Sequence, residues 1–391
     1  MKWEYVNAEE FCSSVRDGTH DTPKQTTNGY RLVTGKHIKN GQIDFSDAYF
    51  ISESDYIKIN ERSLVEQWDV LMSMIGNGLG KTAVVKSVPN YAIKNLALFK
   101  LGSEIKAKWL HYYLSSCDGQ GLIYNSLQGS GQPFISLSYI RDFPIPNPPS
   151  EIMKYYVEVL SVYDDLIENN QRQIKLLEEA AQRLYKEWFV DLRFPGYEHT
   201  PIVDGVPEGW ERKRLGDIAD IVMGQSPKSE FYNQKKDGLP FHQGVGSYGY
   251  RFVTDDIFSS TFTRIATKGS ILFSVRAPVG RMNYTRNRIA IGRGLAAINS
   301  KTGLQSFLFY LLKDKYFKDD LIGNGSIFAS ITKDELYRQI VIVPSPELAN
   351  RFDEYAKSID KKIELLDLQI KTLSEARDRL LPKLMSGELE V

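Results

Sequence analysis

The most regular hydrophobic pattern of this 391-residue chain runs through residues 151–188. Its seam positions, apolar except for Asn170, alternate at spacings of three and four residues, and no Pro or Gly falls among them. These seam positions are Met153, Tyr156, Leu160, Tyr163, Ile167, Asn170, Ile174, Leu177, Ala181, Leu184 and Trp188. A lone helix cannot bury so narrow a stripe, so the strict heptad predicts one long helix that packs against a partner helix.

A second copy of the pattern near the C-terminus supplies the partner. Residues 173–184 align with residues 369–380, and eight of the twelve positions are identical. The second seam consists of Phe352, Ile359, Ile363, Leu366, Ile370, Leu373, Leu380 and Leu384. The offset match and the heptad agree independently, which favours two helices that pack together over two unrelated amphipathic helices.

Shorter matches keep the same order through the rest of the chain. Residues 70–73 parallel residues 271–274, and residues 109–112 parallel residues 307–310. An offset near 200 residues is too long for a solenoid. The pattern therefore predicts a duplicated unit, in which a globular domain precedes one long helix.

Within the globular parts, short apolar runs bounded by Gly, Asn and Pro predict strands. The predicted strands are residues 69–75, 83–88, 93–101, 270–275 and 288–298, and the predicted helices are residues 105–115 and 304–317. Strands and long helices do not alternate regularly. We therefore predict an irregular α+β fold for each domain instead of a doubly wound sheet.

A stretch rich in Pro and Gly, residues 194–209, is typical of a linker between the two halves. Pro and Ser residues just before each long helix suit a helix start. The predicted segments are a first domain at residues 1–150, a central helix at residues 151–194, a linker and second domain at residues 195–346, and a C-terminal helix at residues 347–391.

The composition argues against a disordered chain, since 42% of the residues are hydrophobic and 12% are aromatic. The two cysteines, Cys12 and Cys117, show neither metal-ligand spacing nor a disulfide framework, which favours a reducing cytoplasm. The N-terminus has no signal-peptide pattern, and no apolar run is long enough to span a membrane. We therefore expect a soluble cytoplasmic protein without a membrane partner.

The formal net charge is zero, but the charges are unevenly distributed. No acidic residue lies between Asp69 and Glu104 or between Asp256 and Asp314. The basic residues of these windows are Lys81, Lys86, Lys94 and Lys100, and Arg264, Lys268, Arg276, Arg281, Arg286, Arg288, Arg293, Lys301 and Lys313. The same part of both halves is thus basic. This favours phosphate and base contacts to double-stranded DNA over a set of scattered solvated charges.

The length of the helices adds a geometric expectation. A helix over residues 151–188 spans roughly 55–60 Å at ~1.5 Å per residue. A rod of this length would hold two DNA-binding domains at a fixed separation, which suits two half-sites with an unread gap between them. The two domains differ in sequence while the helices match, so we expect a non-palindromic site.

Two stretches carry partial enzyme motifs. Gly76–Thr82 ends in Gly-Lys-Thr, but it is one residue shorter than a phosphate-binding loop and a predicted strand follows it. Asn147–Ser150 resembles the Asn-Pro-Pro-aromatic loop of adenine methyltransferases, but Ser150 replaces the aromatic residue that stacks on a flipped base. The five His residues form no metal-ligand cluster, and the sequence shows no catalytic constellation.

Three further stretches carry a resemblance to a known family. They are residues 178–196 (EEAAQRLYKEWFVDLRFPG), residues 206–210 (VPEGW) and residues 381–389 (LPKLMSGEL). With them, the chain resembles the specificity subunits of Type I restriction-modification systems. The resemblance covers nearly the whole chain, in the order domain, helix, domain, helix.

The resemblance implies two similar α+β target recognition domains, separated by two long helices that form an antiparallel coiled coil with a pseudo-two-fold repeat. Each domain would read one half of a bipartite, asymmetric DNA site. Two methyltransferase subunits that use S-adenosylmethionine would dock on the helices, and a restriction and translocase subunit that uses ATP and Mg²⁺ would join them. The chain itself would be non-catalytic, without cofactor or metal, and would serve DNA methylation and defence against foreign DNA.

Candidate DNA contacts follow from side-chain chemistry, since Arg and Lys suit guanine whereas Gln and Asn suit adenine. In the first domain they are Lys24, Gln25, Arg31, Lys36, His37, Lys81 and Gln132. In the second domain they are Gln225, Lys228, His242, Gln243, Arg276, Arg281, Arg286 and Arg293. The candidates for helix packing and partner docking are Tyr163, Ile167, Asn170, Ile174, Leu177, Leu184, Trp188, Ile359, Ile363, Leu366, Ile370, Leu373, Leu380 and Leu384.

Two other functions are alternatives to DNA recognition. A nucleotide-binding or methyl-transferring enzyme would use Gly76–Thr82 or Asn147–Ser150. A coiled-coil scaffold protein would use only the two long helices, and it would leave both acid-free basic windows unexplained.

Overall fold

The computed structural model describes residues 3–76, 78–129, 133–316 and 330–388 of the chain. It divides into two compact units. Unit 1 consists of Met1–Glu168 and Ile370–Val391, and unit 2 consists of Asn169–Gln369. Each unit therefore contains one globular domain and a segment of each of the two long helices.

The domain of unit 1 is made of short strands and helices. Its described strands are β1 (Tyr5–Asn7), β2 (Ser14–Asp17), β3 (Tyr30–Val33), β4 (Ile38–Lys39), β5 (Gln42–Ile43), β6 (Phe50–Ile51), β7 (Val70–Ser73), β8 (Thr82–Val84), β9 (Tyr91–Ile93), β10 (Leu96–Lys100) and β11 (Pro144–Pro146). Its described helices are α1 (Ala8–Phe11), α2 (Glu53–Ser63), α3 (Glu104–Ser115), α4 (Cys117–Asn125) and α5 (Leu137–Arg141). The long helix α6 (Ser150–Tyr185) follows and ends in a π-helical turn (Lys186–Val190).

Two sheets position the loops of this domain. Strands β2, β10, β7 and β8 form an antiparallel sheet in that order. A second sheet has the order β6, β3, β9, in which β3 and β9 are parallel. Parallel strands end at the same edge of a sheet, so the segments that leave β3 and β9 lie side by side.

Unit 2 contains the second domain. Its described strands are β12 (Ile202–Val203), β13 (Val206–Pro207), β14 (Glu211–Arg214), β15 (Ala219–Met223), β16 (Tyr232–Asn233), β17 (Leu239–His242), β18 (Phe258–Ser259), β19 (Ile265–Ala266), β20 (Ile271–Ser274), β21 (Met282–Tyr284), β22 (Ile289–Ile291), β23 (Leu295–Ser300) and β24 (Ile340–Val343). Its described helices are α7 (Leu215–Ile218), α8 (Gln305–Tyr316) and α9 (Lys333–Tyr337), and the second long helix is α10 (Pro346–Met385).

The main sheets of the two units correspond strand for strand. The order β15, β23, β20, β21 in unit 2 repeats the order β2, β10, β7, β8 in unit 1. The parallel pair β17 and β22 repeats the pair β3 and β9, within a sheet of order β16, β18, β17, β22, β19. The predicted α+β fold with an internal repeat is therefore confirmed.

Two predicted strands are wrong in the same way, because each is in fact two strands that belong to different sheets. The predicted strand 288–298 is broken at residues 292–294, between β22 and β23. The predicted strand 93–101 is broken at residues 94–95, between β9 and β10, where Asn95 has a left-handed φ of 53°. The strands on either side of each break are buried in their own sheets, so both are apolar. The sequence therefore shows what looks like one continuous apolar run across each break.

The two long helices pack against each other within each unit. In unit 2, Asn170 donates to Gln369 and Trp188 contacts Phe352, so the helices run antiparallel there. In unit 1, Leu384 of α10 lies in the core that the start of α6 also enters. Every seam position of both helices is buried or part-buried. Among the described residues, no helix combines the length and the apolar character that crossing a membrane requires.

Candidate nucleic-acid interface

Three chain segments of unit 2 meet where β15, β17 and β22 end. The Gln225 amide donates to the Ile291 carbonyl (2.9 Å), and the Gly294 amide donates to the Gln243 carbonyl (3.1 Å). Strands β17 and β22 are parallel, which brings the second and third segments to the same edge. We call this cluster the unit 2 junction, and its segments are residues 224–226, 243–244 and 292–294.

The unit 2 junction is packed so closely that it requires glycine. A Cβ atom on Gly224 would lie 2.1 Å from the Gly292 carbonyl oxygen, and one on Gly294 would lie 2.4 Å from the Gln243 carbonyl oxygen. No side chain fits at these distances, so the three backbones lie in direct contact. The exposed polar side chains that this arrangement presents are those of Gln225, Gln243 and Arg293.

Unit 1 repeats the backbone of this junction with different side chains. The Thr19 amide donates to the Ile93 carbonyl (3.0 Å), which is the counterpart of the bond made by the Gln225 amide. We call residues 18–20, 34–35 and 94–95 the unit 1 junction. Two of its side chains bond to each other, since the His20 imidazole contacts the Asn95 side chain (2.8 Å). The two junctions therefore present different chemistry on one backbone plan.

The choice of candidates by residue type missed the side chains of the unit 1 junction. The missed residues are Thr19, His20, Thr34, Lys94 and Asn95. The signal that could have found them is the pair of short interruptions at residues 94–95 and 292–294, which break the apolar runs at equivalent places in the two halves.

A second pair of equivalent loops joins β7 to β8 in unit 1 and β20 to β21 in unit 2. In each loop a Gly amide donates to a Ser carbonyl, from Gly80 to Ser73 (2.9 Å) and from Gly280 to Ser274 (3.0 Å). Because the two loops share this hydrogen-bond register, Lys81 and Arg281 occupy equivalent positions in them. Both side chains are exposed.

The fold gives no support to the two partial enzyme motifs. The residues of Gly76–Thr82 that the structure describes form a hairpin loop, and strand β8 follows where a phosphate-binding loop requires a helix. Asn147–Ser150 leads directly into α6. Within the described ranges, no group of three or more His, Cys, Asp or Glu side chains is arranged to hold a metal ion.

Two of the candidate histidines are buried and hold loops in place. The Thr34 amide donates to Nδ1 of His37 (2.8 Å), and burial lowers the pKa of the His37 imidazole. His242 contacts the Ser247 hydroxyl through Nδ1 (2.7 Å) and the Asp255 carboxylate through Nε2 (2.9 Å). Both rings therefore support the segments that follow β3 and β17 from inside the domains.

The other candidates of unit 1 differ in how their side chains are engaged. Lys24 and Gln25 are exposed in the segment that precedes β3. Arg31 donates to two backbone carbonyl groups, and Lys36 forms a surface ion pair with an aspartate (3.0 Å). Gln132 lies outside the described residues.

The other candidates of unit 2 also divide into exposed and engaged residues. Arg276 is exposed, and Lys228 is exposed with a surface ion pair to Glu230 (3.8 Å). Arg286 bonds to Asp367 of α10, and its guanidinium lies over the ring of Phe252 (4.2 Å to the centroid). Arg286 therefore joins the domain to a long helix within unit 2.

Arg251, which was not among the candidate DNA contacts, is a buried arginine that anchors the loop after β17. Arg251 is 1% exposed and bonds to Asp360 of α10. Its guanidinium stacks on Phe309 (3.7 Å to the ring centroid) and approaches Glu178 of α6 (3.5 Å). The loop that begins after His242 is therefore fixed at both ends.

Comparison with known proteins identifies the family. The family model of the type I restriction modification DNA specificity domain matches residues 1–179 and 207–373, which is most of the chain. The chain therefore belongs to the type I restriction-modification DNA specificity family.

Similar proteins carry the same description. The chain is 28% identical over its whole length to the provisionally assigned MjaX type I restriction enzyme specificity subunit of Methanocaldococcus jannaschii, of which it covers 94%. It is 24% identical to the HindI type I restriction enzyme specificity subunit of Haemophilus influenzae, over 84% of this chain and 88% of that protein. The S subunit of a type I restriction-modification system from M. genitalium shares the fold, with a TM-score of 0.56, 15% identity, and coverage of 98% of this chain and 96% of the other.

Family membership defines the kind of site that the domains carry. Members recognise DNA within a type I restriction-modification complex, and the role of this chain is recognition and not catalysis. The candidate contacts to DNA are the exposed polar side chains at the two junctions and at the two equivalent hairpin loops.

Proposed function

We propose that each globular domain of this chain reads one half of a split, asymmetric site on double-stranded DNA. The observation that carries the proposal is the pair of junctions, which share one backbone arrangement and present different side chains. A shared arrangement offers DNA a similar surface in both domains, whereas different side chains select different bases. The two half-sites should therefore differ in sequence.

Exposed cations in the same domains supply the part of the binding that does not depend on sequence. Lys81 and Arg281 occupy equivalent hairpin loops, and Lys228 and Arg276 are exposed in unit 2. Contacts of this kind to phosphates position a protein on the duplex and make its affinity fall with salt.

The second part of the proposal is that the long helices dock two methyltransferase subunits, one on each unit. Each unit exposes apolar side chains on its helices, namely Tyr155, Val162 and Leu166 in unit 1, and Leu176, Leu365 and Leu368 in unit 2. Apolar patches of this kind are typical of surfaces that a protein partner covers. A non-catalytic DNA reader must also hold the enzyme that modifies the DNA, so the methyltransferase is the partner that fits.

In this proposal the partner subunits carry the chemistry of the complex. The methyltransferase subunits bind S-adenosylmethionine, and a restriction and translocase subunit that uses ATP and Mg²⁺ joins the same complex. The specificity chain contributes the DNA contacts and the docking surfaces, and it needs no cofactor of its own.

Selection from a random pool of duplexes tests the recognition proposal. The complex of the chain with its methyltransferase subunits is mixed with the pool, and the bound duplexes are sequenced. We expect two conserved blocks of different sequence with unconserved positions between them, and each mismatch in a block should cost about 1–3 kcal/mol of binding free energy. One continuous block, or the same enrichment by the methyltransferase subunits alone, would contradict the proposal.

A matched pair of lysine substitutions tests the docking proposal. Leu166→Lys places a charge within the exposed apolar stripe of α6, and Asp165→Lys places one about 100° around the same helix. We expect Leu166→Lys to lower the fraction of chain that co-elutes with the methyltransferase subunits, and Asp165→Lys to leave that fraction unchanged. Equal assembly of the two variants would exclude this stripe as the docking surface.

A further inference from the structure

We infer that the unit 2 junction is the base-reading surface of its domain, with Gln225 and Gln243 selecting adenine and Arg293 selecting guanine. The inference rests on the proposed function, and it specifies the substrate of one of the two domains. That substrate is a half-site containing both purines, read from the major groove of the duplex.

The side chains of Gln225, Gln243 and Arg293 are exposed where the three segments of the unit 2 junction meet. Among the described residues, none of Gln225, Gln243 and Arg293 has a side-chain hydrogen bond or an ion pair. By contrast, Arg251 and Arg286 both bond to acids of α10. The junction therefore presents exposed donors and acceptors that are available to a ligand.

The backbone beneath these side chains is held in place from several directions. The Gly292 amide donates to the His242 carbonyl (2.8 Å), and the Arg293 amide donates to the Ser226 hydroxyl (3.1 Å). The His242 ring is itself bonded through both nitrogens. A site on a fixed backbone loses less conformational entropy when it binds, which favours selective contacts over adaptable ones.

The residue types match the major-groove edges of purines. A glutamine side chain can pair with N6 and N7 of adenine, and an arginine can donate to O6 and N7 of guanine. Two glutamines and one arginine on one surface therefore indicate adenine and guanine in the same half-site. The unit 1 junction does not offer this set, since Thr19 and Asn95 stand in it.

A thermodynamic cycle with base analogues tests the assignment. Binding of the complex with the methyltransferase subunits to its selected duplex is measured while each guanine is replaced in turn by 7-deazaguanine. This analogue lacks the N7 acceptor. We expect one replacement to weaken binding of the unmodified complex by about tenfold. The same replacement should have no effect on the Arg293→Ala complex, because the partner of N7 is already gone. Gln243→Ala should behave likewise with 7-deazaadenine.

Arg288→Ala is the matched control. Arg288 is exposed and precedes β22, whereas Arg293 follows the same strand. The Arg288→Ala complex should respond to every analogue as the unmodified complex does. Base changes in the other half-site should still weaken binding of the Arg293→Ala complex, which shows that this variant is folded.

Three results separate the possible failures. A full response of the Arg293→Ala complex to 7-deazaguanine at every position would overturn the assignment of Arg293. The assignment of Arg293 would also be overturned if neither of the two selected half-sites contained guanine. If the proposed function itself were wrong, the unmodified complex would select no split site at all.

Discussion

The guanidinium of Arg251, which is buried, bonds to the part-buried carboxylate of Asp360, and this pair joins the domain of unit 2 to the long helix α10. The same carboxylate accepts hydrogen bonds from the hydroxyl groups of Ser306 (2.7 Å) and Tyr310 (3.2 Å). A part-buried charge with this many partners is stable in place, but it becomes costly when its counter-charge is removed.

Unit 1 contains an equivalent contact, in which the aspartate lies at the offset of the helix repeat. The Tyr112 hydroxyl donates to Asp164 of α6 (2.6 Å), and Arg377 of α10 supplies the counter-charge (2.7 Å). Tyr112 corresponds to Tyr310 and Asp164 to Asp360 in the aligned halves. The duplication has therefore preserved a tyrosine–aspartate link between domain and helix, whereas the arginine comes from a different element in each unit.

Removal of the buried arginine should destabilise unit 2. We expect Arg251→Met to lower the free energy of unfolding by about 3–5 kcal/mol, because Asp360 is left without its counter-charge. Arg251→Met combined with Asp360→Asn should recover much of this loss. Hydrogen exchange of α8 measures both effects, and equal destabilisation by the single and double variants would show that the pair is not the cause.

A polar residue on the helix seam should limit the stability of the coiled coil. Asn170 is 7% exposed, and its side chain donates to Gln369 (3.4 Å) among apolar neighbours. We expect Asn170→Leu to raise the melting temperature by about 2–4 °C, the shift that ~1 kcal/mol produces in a domain of this size. Gln369→Ala, which removes the partner and keeps Asn170, should lower it. A fall in the melting temperature of Asn170→Leu would refute this reading of the seam.

The cations of the two hairpin loops should contribute to DNA binding without regard to sequence. Lys81→Ala and Arg281→Ala should each make the slope of log K against log salt concentration less negative by about 1. Relative affinities for different sequences should not change. Binding titrations of the methyltransferase complex measure the slope, and Lys357→Ala on α10 is the control with an exposed lysine elsewhere. An unchanged slope in both loop variants would remove the hairpins from the DNA interface.

The stability of unit 1 should fall in mild acid because of one histidine. Burial lowers the pKa of His111 to about 4, with smaller effects from Asp164, which raises it, and from Arg377 and Lys86, which lower it. The unfolded chain takes up a proton near pH 6.5, so this part of the stability is present above pH 6.5 and is lost as the pH falls towards 4.

The variant His111→Gln isolates this effect. Glutamine can still bond to the Thr82 hydroxyl, which contacts Nδ1 of His111 at 2.7 Å, but it does not titrate. The hydrogen-exchange protection of α3 in the unmodified chain should fall relative to that in the variant as the pH is lowered from 6.5 to 4. A difference that stays constant over this range would contradict the assignment.

The long helices were predictable from the sequence because the heptad is a local pattern that repeats without interruption. The duplication was predictable because residues 173–184 recur at residues 369–380. The strand breaks were not, because an apolar run looks the same whether it stays in one sheet or passes into another. What breaks the run at residues 292–294 is the approach of Gln243 from another part of the chain.

The selection of DNA contacts by residue type had a similar limit. Arg286 and Arg293 are both arginines in the same acid-free window, yet Arg286 bonds to Asp367, which is 81 positions away in the sequence, and Arg293 is exposed. His37 and His242 were selected for their chemistry and lie buried. Side-chain chemistry names the groups that suit a base, but only the fold determines which of them reach the surface.

The most direct test of the central claim is a methylome. The chain is co-expressed with its methyltransferase subunit in a host without adenine methylation, and the genome is sequenced with methylation-sensitive long reads. We predict methylated adenines in a split, asymmetric motif that disappears when this chain is omitted. Methylation at a short continuous motif, or at the same sites without the chain, would contradict the account.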